Sequence, residues 1–552
     1  MIADIHITEK SFGDKTLMKD VKFSVDDGEK VGVVGRNGVG KSTLFGILSG
    51  KDTDYTGEVI FRRGITVATT AQEHHGLGDQ TVMSYILGGL PEYSKLKKIV
   101  DEYPLTMGDN MRKIEEYTQA LERFDQKGFY QVEEKIEREL SNFQLDGYGN
   151  RKISSLSGGQ KRLVEIVKIM HSEAHLALID EPTNHMDYVA KQQFIDWMNS
   201  QPHQAMLIIT HDRDVLGQVD RIVEIKDGQA VSYRGNYDAY LKQNAQATTA
   251  GMNNFEQIEK RIVNLKQKVL DYQRLKEKSR NPGTIQKFKR LENEARAELA
   301  ELSEMEKPTF WIDKESASQL DYKSAERYGK FKSRNIRLSM KDASSRSQHV
   351  LVRAENVAVG IGERILFEDV NIDLREGEAI EIRGRNGAGK TTLIRMILAS
   401  GKSFDSGPVL YSGDIFLDPQ VRIGVYEQEI DERYLSDPLE KAIEKLYMSR
   451  DLSISDTKIR QLLADYLFTD ADRMTPLARL SGGQKARFQI IAMLANDPQL
   501  LILDEPTNHL DLPSIEELET ALAKYSGAIL YVSHDNYFRE KLGGKVVQIG
   551  AE

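Results

Sequence analysis

Cysteine is missing altogether from the 552 residues. Its absence excludes disulfides, iron–sulfur clusters held by thiolates and cysteine zinc sites. Long apolar runs are missing too: no stretch of about 18 apolar residues occurs, so no segment is expected to span a bilayer. The first residues, MIADIHITEK, lack the charged-then-apolar order of a secretion signal, and the expected compartment is the cytoplasm. Positive charge is in deficit, with 75 Lys and Arg against 85 Asp and Glu and a formal net charge of −10. That balance argues against nucleic acid as a partner unless cations are concentrated locally. What is present is the composition of a soluble globular protein, 29% charged and 40% apolar. A chain this long is expected to hold three or four domains.

The chain repeats itself. GRNGVGKST at 35–43 returns as GRNGAGKTT at 384–392, and LSGGQKR at 156–162 returns as LSGGQKA at 480–486. DEPTNHMD at 180–187 is answered by DEPTNHLD at 504–511, and THD at 210–212 by SHD at 533–535. The order is kept, which predicts two homologous domains in tandem, 1–240 and 349–552. From Gln72 to Ser157 is 85 positions but from Gln428 to Ser481 only 53. The first copy therefore carries an insertion, placed at about 90–139. There Ile114, Tyr117, Leu121 and Phe124 step by three and four, which predicts a helical hairpin.

Between the copies, 241–348 reads as a second helical hairpin. Phe255, Ile258, Ile262, Leu265, Val269 and Tyr272 form one helical seam; Phe288, Leu291, Ala295, Leu299, Leu302 and Met305 form another. NPGT breaks the pattern between them, and the expected length is about 40 Å. Its bend is basic: residues 260–290 hold eleven Lys and Arg and only two acids, Asp271 and Glu277.

G-x-x-x-x-G-K-[ST] occurs twice, each time after a β-rich stretch (KVGVV, EAIEI) and before an apolar helical pattern. That context makes it a phosphate-binding loop. Gly35, Asn37, Gly38 and Gly40, with Gly384, Asn386, Gly387 and Gly389, free backbone N–H groups to wrap phosphate oxygens at a helix N-terminus. Lys41 and Lys390 are predicted to reach the β- and γ-phosphates, with Thr43 and Thr392 beside them, and Ser42 and Thr391 to ligate Mg²⁺. LALID and LLILD read as buried parallel strands ending in a carboxylate. Asp180 and Asp504 sit where an acid meets the Mg²⁺ shell. Glu181 and Glu505, one step on, are the candidates to polarise the attacking water. His211 and His534, each after another apolar strand, are candidates to contact the γ-phosphate.

LSGGQ between a P-loop and such a carboxylate strand resembles the ATP-binding-cassette superfamily. The expected fold class is therefore α/β: two P-loop ATP-binding-cassette domains in tandem, joined by a helical-hairpin linker. The resemblance implies head-to-tail closure within one monomeric chain, each ATP between one P-loop and the opposite signature. Site one then pairs Lys41, Ser42, Gln72, Asp180, Glu181 and His211 with Ser481, Gly482, Gly483 and Gln484. Site two pairs Lys390, Thr391, Gln428, Asp504, Glu505 and His534 with Ser157, Gly158, Gly159 and Gln160. Gln72 and Gln428 are expected at the Mg²⁺. Phe12 is expected to stack on adenine, whereas its counterpart at the same offset, Ile361, has no ring. Glu381 and Arg383 are unusual in a strand expected to be buried.

Two cassettes, an arm in the first and a charged hairpin between them resemble the ABC-F family over nearly the full chain. Cysteine-free, the chain departs from the ribosome-recycling branch with its iron–sulfur clusters and from the excision-repair branch with its zinc. The resemblance implies an ATPase that binds the ribosome, with its linker reaching toward the P-site tRNA and ribosomal RNA. The basic bend fits that expectation, because cations on a thin projection suit walls of phosphate. A housekeeping translation role and antibiotic resistance by ribosome protection both remain open, the short turn SRNPGTIQ leaning toward the first. The alternative is a soluble ATPase subunit of a transporter. A second basic run, 322–341, carries Tyr322, Tyr328 and Phe331, which either stack on bases or pack the linker's return onto the second cassette.

Overall fold

KVGVV, LALID and AMLII contain no polar break, the pattern of strands covered on both faces. In the computed structural model they are the three central strands, Lys30–Gly35, Leu176–Asp180 and Ala205–Ile209. The structure describes residues 1–552 except 14, 71–78, 107, 109, 185, 306, 321, 339–348, 402–406, 428–429 and 551–552. The three strands pair in parallel within a six-stranded sheet, closed at one edge by the antiparallel pair Arg221–Lys226 and Gln229–Arg234. A separate three-stranded antiparallel sheet is built on Ala3–Phe12. The second half repeats the plan. Ala379–Arg383, Leu500–Asp504 and Ala528–Val532 lie in a five-stranded parallel sheet, beside an antiparallel sheet built on Val350–Ile361.

Two compact units divide the chain: Met1–Tyr237 with Ile336–Glu552, and Asp238–Asn335. Both cassettes belong to the first unit. In the insertion, helices Tyr93–Thr106 and Met111–Gln126 pair antiparallel, tied by Arg123–Glu92 at 3.0 Å and by Tyr103 Oη donating to Glu116 at 3.1 Å. Phe124 is buried and Ile114, Tyr117 and Leu121 are half-buried, so the predicted seam is the packed face. The next helix, Val132–Asn142, instead sinks Val132, Ile136 and Leu140 into the cassette core.

The unexpected pair Glu381 and Arg383 has a physical account. Glu381 is buried and meets Arg383 Nε at 2.8 Å and Arg539 Nε at 2.9 Å. The corresponding positions of the first cassette hold Gly32 and Leu216, so close that a Cβ on Gly32 would meet Leu216 Cδ2 at 2.7 Å. One cassette joins strand to helix with an ion pair, the other by direct apolar packing.

In the second unit, helix Tyr237–Lys278 (42 residues) is followed by Pro282–Ser303. Asn281 Oδ1 accepts from the N–H of Gly283 and Pro282 opens the new helix, so the Asn-Pro-Gly signal both stops one helix and starts the next. Leu265, Val269 and Ala295 are buried along the seam with Tyr272, Leu299 and Leu302 packed on them, while Met305 is exposed. Acids of the second helix compensate part of the charge, Lys276 meeting Glu292 at 2.6 Å and Arg290 meeting Glu294 at 2.8 Å. Arg274, Lys278, Arg280, Lys287 and Lys289 are exposed, and among the described residues they form no ion pair. Tyr328 and Phe331 are buried with Met252 and Ile312 inside this unit. That corrects both expectations for these two rings: they stack on nothing external and pack the linker's return onto its own long helix. The side chain of Tyr322 lies outside the described residues. Among the described residues no helix is long and apolar enough to cross a membrane.

Candidate active sites

Each P-loop runs directly into a helix, Lys41–Leu48 or Lys390–Leu398. Gly40 at the start of the first helix has φ 102°, and a Cβ there would meet Leu17 Cδ2 at 2.7 Å. Only glycine fits such a turn. Lys41 Nζ donates to Gly35 O at 2.6 Å and Lys390 Nζ to Gly384 O at 2.9 Å, so both ammonium groups are folded back over their loops. Ser42 Oγ donates to Asp180 Oδ2 at 3.0 Å, and Thr391 Oγ1 to Asp504 Oδ2 at 2.7 Å. Each hydroxyl and carboxylate together make a pair of hard oxygen donors of the kind Mg²⁺ takes. Glu181 and Glu505 have φ of 47° and 51°, a left-handed backbone costly for glutamate and typical of functional turns. His211 Nε2 lies 3.5 Å from Glu181 Oε1, and His534 Nε2 lies 3.3 Å from Glu505 Oε1.

The signature serines open helices in the opposite cassettes. Ser157 caps Gly158–His171 and Ser481 caps Gly482–Leu494, each in a reciprocal capping box with Gln160 or Gln484. These helix N-termini line the nucleotide cavities and add positive potential there. A cavity of about 440 Å³ brings Phe12, Lys41 and Ser42 of the first cassette to Ser481, Gly482 and Gly483 of the second. A cavity of about 1050 Å³ brings Lys390, Thr391 and Thr392 to Ser157, Gly158, Gly159 and Gln160. Asn37 N donates to Asp511 Oδ2 at 3.2 Å, and Asn386 N to Asp187 Oδ2 at 3.1 Å. The cassettes thus face each other head to tail. Gly483 approaches so closely that a Cβ would fall 2.0 Å from Asn37 Nδ2.

The ABC transporter family profile matches residues 18–184 and 367–508. YdiF of Bacillus subtilis (strain 168) is 30% identical over 566 aligned positions, spanning 100% of this chain and 80% of that protein. The energy-dependent translational throttle protein EttA of Mycobacterium tuberculosis (strain ATCC 25618 / H37Rv) is 28% identical, over 96% of this chain and 88% of its own length. The ribosome protection protein VmlR of Bacillus subtilis (strain 168) is 27% identical, over 96% and 83%. The chain belongs to the ABC-F family of the ATP-binding-cassette superfamily. It is an ATPase with two cassettes.

Burial sets the electrostatics of this ABC-F ATPase. It pushes Glu181 up to about 8, against the opposing pull of Lys41, and it raises Glu505 as well. His211 and His534 are driven down to about 3, burial first and the adjacent P-loop lysine second. The Glu–His contacts therefore join neutral imidazoles rather than ion pairs. Both His211 ring nitrogens and Glu505 Oε1 are buried without a hydrogen-bond partner among the described residues. Such orphaned groups facing a cavity suit a polar ligand.

Gln72 and Gln428 lie outside the described residues of the ABC-F protein. Gly35 and Gly384 act through their carbonyls on the lysines, and Gln484 Nε2 turns away to Asp472 at 2.7 Å. Phe12 is exposed at the mouth of site one, 4.8 Å below Lys10 Nζ. Ile361, Leu366 and Arg364 line site two at the matching place. Asp187 and Asp511 were missing from the residues expected on sequence grounds, although the repeated EPTNH-x-D pattern ends on them. Lys191, which has no repeated counterpart, offered no sequence signal.

Proposed function

We propose that this ABC-F ATPase works on the ribosome, closing its cassettes on ATP and carrying its basic hairpin against RNA near the P-site tRNA. The reciprocal pairing of each P-loop with the opposite signature is the observation that carries the reading, since ATP bound in either cavity would bridge the cassettes. Ser42 with Asp180, and Thr391 with Asp504, would hold Mg²⁺. When bound, the ion would supply neutralisation of phosphate charge. Lys41 and Lys390 leave their loop carbonyls for phosphate oxygens. Glu181 and Glu505 orient the attacking water and accept its proton, a task suited to carboxyls that burial raises above the ordinary range. His211 and His534, held neutral, donate toward the γ-phosphate. Hydrolysis removes the bridge, and the open form releases the ribosome because the two forms differ in affinity for it.

The hairpin's exposed cations, Arg274, Lys278, Arg280, Lys287 and Lys289, support RNA as the contact. The names of EttA and VmlR support the ribosome as the particle. A double Glu181→Gln, Glu505→Gln variant with ATP should close, fail to hydrolyse and cosediment with ribosomes. Finding it in the ribosome-free fraction at low salt overturns the reading. Replacing the five cations with Gln should release the trapped variant while leaving nucleotide binding intact. The slope of log affinity against log salt should shrink by roughly 0.7–0.9 for each phosphate no longer neutralised. The similar identity to VmlR keeps ribosome protection as a second reading. Inhibitory concentrations of peptidyl-transferase and tunnel drugs in a sensitive host expressing the protein separate it from a general translation role.

A further inference from the structure

The cassette interface is not symmetric around the two histidines. Lys191 sits in the first cassette on helix Tyr188–Asn199 and is only 4% exposed. Its Nζ donates to Asp214 Oδ2 at 2.5 Å and to the backbone carbonyl of His534 at 2.9 Å, and lies 3.3 Å from Asp212 Oδ2 as an ion pair. His534 belongs to the other cassette and to site two. The N–H of that residue donates to Glu505 Oε2 at 3.2 Å, so His534 itself carries the lysine's grip to the carboxylate. Asn536 Nδ2 closes the cluster from the second cassette, donating to Asp214 Oδ2 at 2.8 Å. Beside it Arg213 crosses the interface to Glu519 at 2.8 Å, both side chains buried. Burial works against the charge on Lys191, but Asp212, Asp214 and Asp535 outweigh it and hold the group protonated.

Site one has no such support. The position matching Lys191 in the repeat is Ile515, and those matching Arg213 and Asp214 are Asn536 and Tyr537. Among the described residues no side chain of the second cassette donates to the carbonyl of His211. The two nucleotide sites are alike in motif and differ in what holds the histidine.

We propose that Lys191 is a positioning residue for site two, supplied by the first cassette, which fixes the His534–Glu505 unit only while the cassettes are closed. Site two therefore depends on the closed interface in a way that site one does not. This inference concerns the ATPase reaction and stands apart from the ribosome reading. The test is phosphate release by the isolated full chain with one site silenced at a time. Lys191→Met should lower kcat roughly tenfold or more in the Glu181→Gln background, with KM for ATP within about twofold. The loss in the Glu505→Gln background should be smaller. An equal or larger loss there, or no loss in the first background, overturns the proposal. Lys191→Met leaves two acids without their cation, so Lys191→Met, Asp214→Asn is run beside it to restore the charge balance. Site two should stay slow in that double variant while melting recovers; return of the parental rate would show the lysine to be a charge filler only, and the proposal would fall.

Discussion

Asn37 and Asp511 stand 474 positions apart and are joined by a single N–H···O bond of 3.2 Å. The same bond, Asn386 to Asp187 at 3.1 Å, occurs at the other site. Asp511 also caps its own helix, its Oδ1 accepting from Ser514 N at 3.1 Å, so one carboxylate closes a helix and the cassette interface together. The two roles can be separated. Asp511→Asn retains the cap, because Asn caps as well as Asp, but gives up the charge that strengthens the bond to the P-loop. We expect kcat/KM to fall by roughly tenfold, the size of one charge-assisted hydrogen bond, with little change in melting. Asp511→Ala should lose the same rate and about 1 kcal/mol of stability besides. Steady-state phosphate release and thermal unfolding read the two effects.

The raised Glu181 makes stability depend on pH in a definite direction. A carboxyl at about 8 in the fold and at 4.5 unfolded binds its proton more tightly when folded. Its contribution is complete below 4.5 and is lost as pH rises toward and through about 8. Glu181→Gln removes a titrating group, so the fall in melting temperature across that window should flatten. His211 acts the opposite way, its contribution present above 6.5 and lost only as pH drops toward about 3. Melting curves of the nucleotide-free variant and parent across the window decide it; parallel curves would contradict the assignment.

Phe12 lines the mouth of site one where site two has Ile361, Leu366 and Arg364. A ring stacked on a base is worth roughly 1–3 kcal/mol. Phe12→Ala in the Glu181→Gln, Glu505→Gln background should therefore weaken ATP at one site about tenfold and leave the other unchanged. Ile361→Phe should tighten the second site. Two-site nucleotide titration reads both.

Buried Glu381 meets half-buried Arg383 and Arg539 where the first cassette has Gly32 and Leu216. Breaking a fully buried pair costs about 3–5 kcal/mol, but Glu381 keeps two bonds to Arg383 when Arg539 is lost, so each single change should cost less than that. Glu381→Gln and Arg539→Leu should each destabilise, and the double variant should cost less than their sum. Denaturant unfolding of the full chain gives the coupling; simple additivity would dissolve the pair.

Sequence alone determined everything whose chemistry is local. A P-loop, a capped signature helix and a carboxylate at a strand end are each made by consecutive residues with a characteristic backbone, so the motif and the structure are the same information. The helical seams of arm and hairpin were readable for the same reason, since Phe124, Leu265 and Val269 repeat at the period of the helix they bury. Tertiary structure alone decided what crosses between elements. Nothing near Lys191 in the chain names His534 as its partner, and nothing near Glu381 names Arg539. Tyr328 and Phe331 turned inward onto Met252 because a long helix passed beside them. Pairings of this kind depend on the approach of surfaces hundreds of residues apart, and a buried charge reveals its purpose only when the opposite charge arrives.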